Sequence, residues 1–168
     1  MTTDGAMTKN AVHSLTALTV AALLCTPAPI RAQSPDMNFF VAVEGATWGA
    51  DQPALEVSDT QCTDLAYAQG YGHLTWRAYL NGSTADGEED QIARDRIGPG
   101  PWFNYYGVAI ADDLAQLHSD ENNLWSESAV TVLGEYPPDG ALEIPPGSEL
   151  DGSLFTRAGP FFCFGVAG

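Results

Sequence analysis

Two cysteines stand about 100 residues apart in a chain that starts like an exported protein. They are Cys62 and Cys163, and they set the strongest limit on the fold. Lys9 supplies a positive start, an apolar stretch runs from Leu15 to Cys25, and "TPAPIRAQ" follows, with Ile30 and Ala32 at the positions a signal peptidase reads. The expected product of cleavage after Ala32 is residues 33–168. The stretch is shorter than the roughly 20 apolar residues a membrane helix needs. Leu24 before Cys25 does not suit a lipoprotein anchor, and Met7 is an alternative start. Cleavage removes Cys25 and leaves two cysteines facing an oxidising compartment, where a pair reads as a disulfide. Any fold for this chain has to bring those two positions together. The expected localisation is secreted or periplasmic.

The mature chain is one domain's worth of sequence. It keeps four arginines, no lysine and 21 acids, a formal charge of −17 against −16 for the whole chain. Nucleic acids are excluded as partners, because their phosphates need Lys and Arg. No other apolar run approaches membrane length. Oligomeric state leaves no trace in the sequence.

The residues around the first cysteine predict a helix. Ser58 and Gln61 have capping-box spacing. Cys62, Leu65, Ala66 and Gln69 share one face, and Gly70 or Gly72 ends the helix. Cys62 therefore points inward, toward a strand partner. "FFVAV", Phe39 to Val43, is a continuous apolar run suited to a buried strand. "LTWRAYL", Leu74 to Leu80, reads as a second strand, with Trp76, Ala78 and Leu80 alternating against Arg77 and Tyr79. "GVAIADDLAQLHSDENNLW" predicts a short strand and one or two helical turns, with Leu114 and Leu117 as core contacts. "SESAVTVLGE" reads as a strand with a capped start. Prolines and other breakers leave no regular structure from Pro137 to Gly152. "GPFFCFGV" closes the chain as an apolar strand carrying Cys163.

A helix cysteine near the start and a strand cysteine at the end resemble the C-type-lectin-like fold. "GADQPALEVSDTQCTDLAYAQGYGHLTWRAYL" looks like the first half of endostatin-like and bacterial lectin-like domains. "ARDRIGPGPWFNYYGVAIADDLAQLHSDENNL" is similar to their next block, and "GPFFCFG" to their closing strand. The resemblance covers roughly residues 38–135 and the last ten. It implies an α+β fold, a small antiparallel sheet with one main helix and a disulfide tying that first helix to the last strand. It also implies glycans or extracellular-surface proteins as ligands. The chain departs from the group in its long-loop region, where Gly152 is followed almost at once by the closing strand. That segment is either naturally short or has lost a piece. The Glu-Pro-Asn and Trp-Asn-Asp motifs that hold calcium and sugar in calcium-dependent lectins do not occur here.

"ARDRIGPGPWFNYYG", Ala93 to Gly107, gathers scarce positive charge and aromatic surface in one loop. As a binding platform, Trp102, Phe103, Tyr105 and Tyr106 would stack on sugar rings or partner side chains, and Arg96 or Arg94 would pair a carboxylate. As architecture, Trp102 would plug the core, an arginine would bridge to one of the many acids, and Gly98 to Pro101 would set a fixed turn. "HSDENN" offers Asp120, Glu121 and Asn123 as a calcium candidate. It gives three or four oxygens where calcium wants six to eight; the alternative is an Asx-rich turn. No other cofactor is expected. The acidic run "DGEEDQ" reads as a solvated loop. No nucleophile elbow, zinc motif, P-loop or dinucleotide fingerprint is present. The expectation is an exported, non-catalytic binding domain. The rivals are a carboxylate-dependent hydrolase and a structural or decayed module with no ligand.

Overall fold

The last strand to be made is the centre of the sheet. In the computed structural model, which describes residues 1–2, 32–43, 54–82, 91–138, 140 and 160–167, β5 (Phe161–Val166) lies between β1 (Phe39–Ala42) and β2 (Thr75–Ala78), antiparallel to both. Phe40 and Ala78 both stand opposite Cys163. The chain divides into two units, Met1–Ile30 and Arg31–Gly168, and every element named here belongs to the second. The proposed signal and the acidic loop at 83–90 fall outside the described residues, as does most of the proline-rich stretch. No helix among the described residues is long and apolar enough to cross a membrane.

The apolar runs exist because both faces of this sheet are covered. Side chains alternate across a strand. Phe40, Ala42, Trp76, Ala78, Phe161 and Cys163 form one core with the helix α1 (Ala54–Ala68). Phe39, Val41, Phe162 and Phe164 form a second core on the other face. Tyr79, on the face opposite Trp76 and Ala78, joins that second core and is fully buried. The second face is closed by chain from 91 to 130, including α2 (Ala93–Arg96), a hairpin of β3 (Trp102–Phe103) and β4 (Ala109–Ala111), and α3 (Leu114–Leu117).

Helix α1 begins one turn earlier than the capping box implied. Ser58 lies inside it, buried, with its Oγ unpartnered. In sequence, Pro53 stands just before the first helical residue, and proline's fixed φ suits a helix start. The helix ends as its glycine requires. Gly70 has φ +88, its N–H donates to Tyr67 O, and the Tyr71 N–H donates to Ala66 O. This is a Schellman stop with Tyr71 packed beside Ala66 in the first core. Leu55, Cys62 and Ala66 face the sheet, and Cys62 is bonded to Cys163 with Cα atoms 5.6 Å apart.

Two further expectations meet the structure differently. Leu117 is core and Leu114 packs against it, as the helical turn implied; Asp113 caps that turn by accepting the Gln116 N–H at 2.8 Å. "SESAVTVLGE" is no strand. Residues 128–132 are buried beside β1 but pair only at Val41 and Thr131. The Thr131 N–H instead donates to Glu135 O, so the segment turns back on itself through Gly134.

Candidate functional site

The aromatic stretch resolves into three separate positions. Trp102 is 1% exposed and packs edge-on against Phe164, with ring centroids 5.4 Å apart. It is a core residue and presents no surface to a ligand. The turn ahead of it is fixed by backbone. Gly98 and Gly100 have positive φ, and a Cβ on Gly100 would come within 2.8 Å of Asp112 O. Phe103 is half-buried and lines a groove of about 500 Å³ with Asn38, His73 and Pro101. Tyr105 and Tyr106 sit at the tip of the β3–β4 hairpin, half-buried, with rings perpendicular and 5.0 Å apart.

That tip is held from three sides. Buried Asn104 accepts the N–H groups of Tyr106 and Val108 through Oδ1 and donates to Ser128 O through Nδ2. The N-terminal segment straps the hairpin: Ser34 N–H donates to Tyr105 O, and the Asn38 side chain bonds both Pro101 O and the Phe103 N–H. Tyr71 Oη donates to Ser34 O, and burial pushes the Tyr71 hydroxyl pKa above its usual value. On the third side, Tyr106 Oη donates to Gly134 O at 2.7 Å, and the Tyr105 ring lies so close to Gly134 that a Cβ there would sit 2.5 Å from it. The turn at 131–136 carries exposed apolar side chains, Leu133 at 51% and Tyr136 at 60%. Trp125, also exposed, is steadied by its indole N–H bonding Asn123 Oδ1.

Arg96 stands elsewhere, in a cleft of about 530 Å³. Its side chain is 7% exposed, and each guanidinium nitrogen has a partner. Nη2 pairs with Asp59 Oδ2 at 2.6 Å, Nη1 donates to Ala78 O at 2.8 Å, and Nε donates to Gln91 Oε1 at 3.0 Å. Asp59 also takes Arg77 on Oδ2 and the Ala78 N–H on Oδ1. The Asp59–Arg96 pair thus occupies the outward N–H and C=O of Ala78, the groups a further strand would bind. Among the described residues the cleft is lined by the carboxylates Glu56, Asp59 and Asp95 and by no serine, cysteine or histidine. Arg94 is exposed.

The calcium candidates lie in a turn. Asp120 and Glu121 are exposed, and Glu121 N–H donates to Ser119 Oγ. Asn122 donates to Leu117 O and Ser119 O and accepts the Leu124 N–H, while Asn123 donates to Ala109 O. Among the described residues no three His, Cys, Asp or Glu side chains gather as a metal group. His118 is tied inward. Its Nδ1 donates to Leu114 O at 2.7 Å, which leaves Nε2 to accept the Tyr79 hydroxyl at 2.7 Å. Burial lowers its pKa; the Leu114 carbonyl opposes this and Arg94 adds to it.

Sequence reading passed over Asp59, Asn104, Leu133 and Tyr136. Asp59 had a usable signal, since it stands three residues before Cys62 on the inward face of the helix. Leu133 was hidden by reading its segment as strand, and Tyr136 lies just beyond that segment. The chain matches no protein-family model, no curated protein and no solved structure.

Proposed function

We propose that this chain is exported, loses its signal after Ala32 and acts as a non-catalytic binding domain of C-type-lectin-like, endostatin-like type. Its ligands on this reading are glycans or extracellular-surface proteins. Support for export comes from the Cys62–Cys163 disulfide, a bond that persists in oxidising compartments. Support for the fold type comes from the same bond joining the first helix to the last strand within a mixed helix-and-strand fold of small antiparallel sheets.

The observation that carries the binding reading is the docking of Tyr106 onto Gly134. It fastens the aromatic hairpin tip to the turn that exposes Leu133 and Tyr136. Aromatic side chains on a rigid backbone give contact area at low entropic cost. The contact surface is therefore Tyr105, Tyr106, Leu133 and Tyr136, with Trp102 buried at the base of the same hairpin and Arg96 apart from it. The test is retention of the exported protein on immobilised glycans and on a panel of extracellular-surface proteins. Tyr136→Ala is expected to weaken the captured ligand at least about tenfold, the scale of a hot-spot aromatic. Tyr67→Ala, exposed on α1, leaves it unchanged. No retention by the unaltered protein on either panel, or equal loss from both variants, rejects the reading.

A further inference from the structure

We infer that the mature N-terminus is a pyroglutamate made from Gln33, an inference that rests on removal of the signal after Ala32. Cleavage there leaves Gln33 with a free α-amine. That amine can attack the side-chain Cδ to close a five-membered lactam. The new bond is N–Cδ, the broken bond is Cδ–Nε2, and Nε2 departs as ammonia with a proton from the amine. No oxidant, reductant or second substrate is required.

The structure favours this step at this residue. Gln33 Nε2 is buried without a hydrogen-bond partner. No hydrogen bond to Nε2 has to be broken, and loss of that nitrogen removes the very donor that the fold leaves unsatisfied. Ala32 is exposed, so the cleavage point is at the surface. From Ser34 onward the segment is fixed: Ser34 N–H donates to Tyr105 O at 2.8 Å, Tyr71 bonds Ser34 O, and Asn38 N–H donates to Phe103 O at 3.0 Å. Cyclisation touches none of these bonds, because Gln33 keeps its carbonyl and Ser34 its N–H. It also removes the α-ammonium and the free end that an aminopeptidase needs. The strap over the aromatic hairpin is thereby sealed one residue before its first anchoring bond.

The full chain is expressed with export, and the exported protein is read by intact mass and N-terminal sequencing after denaturation. The expected mass is that of residues 33–168 with one disulfide, less one ammonia. Sequencing is expected to be blocked until pyroglutamyl aminopeptidase exposes Ser34. Gln33→Ala is expected to be cleaved at the same bond and to sequence directly from Ala. A mature chain that keeps a free Gln33 through prolonged incubation overturns the inference and leaves the cleavage reading standing. An N-terminus at any other residue overturns both.

Discussion

Asp59 Oδ2 lies 2.6 Å from Arg96 Nη2, and the two side chains together cap Ala78 on the open side of β2. The pair is nearly buried, at 12% and 7% exposure. Removing Arg96 leaves Asp59 only the more exposed Arg77 and the Ala78 N–H and leaves Ala78 O without its donor, which costs up to about 3–5 kcal/mol, the range for breaking a buried pair. Arg96→Met is expected to lose that much in urea unfolding. Arg77 binds the same oxygen but is 43% exposed, so Arg77→Ala is expected to cost about 1 kcal/mol or less. Equal losses from the two variants would mean that Ala78 does not depend on the pair. Arg96→Lys is expected to rescue little, since a single ammonium cannot reach Asp59, Ala78 and Gln91 in the guanidinium's planar geometry.

The disulfide spans 101 residues. Closing a loop near that length removes up to about 4.7 kcal/mol of denatured-state entropy in the chain-entropy model, and losing a native disulfide from a small secreted domain costs about 2–5 kcal/mol. The Cys62→Ala, Cys163→Ala double variant is expected to fall in that range by denaturant midpoint. Both side chains sit in the core between α1 and the central strand, so reductant is expected to act only on unfolding. A double variant as stable as the unaltered protein would show that the sheet and helix need no covalent tie.

Trp102 separates architecture from binding. Its ring fills the second core against Phe164, so Trp102→Ala is expected to cost about 3–5 kcal/mol, the usual range for deleting a buried aromatic. Tyr136→Ala removes an exposed ring and is expected to change stability by less than about 0.5 kcal/mol. Calorimetric Tm values for the two variants check both statements. A Trp102→Ala protein with unchanged Tm would return this residue to the surface.

These contrasts mark how far the sequence was legible. Gly70 ended the helix because only that position needed a left-handed backbone, and Cys62 pointed inward because it shared a face with Ala66. Such signals are local and survive in a bare sequence. The burial of Tyr79 was not legible, because alternation assigns a residue to a face and cannot say whether that face is covered. Here it is covered by chain from a distant part of the sequence, so Phe39, Phe162 and Tyr79 are as buried as Phe40 and Cys163. Ser58 failed for the opposite reason: a good capping pattern lay inside a helix that starts a turn earlier. The aromatic loop was visible as a feature, but its division into buried Trp102 and half-exposed Tyr105 and Tyr106 is a tertiary fact. So is the choice of Arg96 over Arg94 as the residue that bridges to an acid.

His118 gives the fold a pH dependence with a definite sign. Burial is the main cause of its lowered pKa, so the folded protein resists a proton that the unfolded chain accepts near the ordinary histidine value of about 6.5. Above that value both states are neutral at this residue and its contribution to stability is complete. As pH falls through it, the unfolded state binds more protons and stability declines. In the neutral ring Nε2 accepts the Tyr79 hydroxyl, and protonation would force that hydroxyl to turn and accept instead. Tm is therefore expected to fall between about pH 7 and pH 5, before the usual carboxylate range near 4 is reached. His118→Gln keeps a polar side chain that does not titrate, and is expected to flatten Tm over that interval. A slope that survives the substitution would assign the dependence to another group.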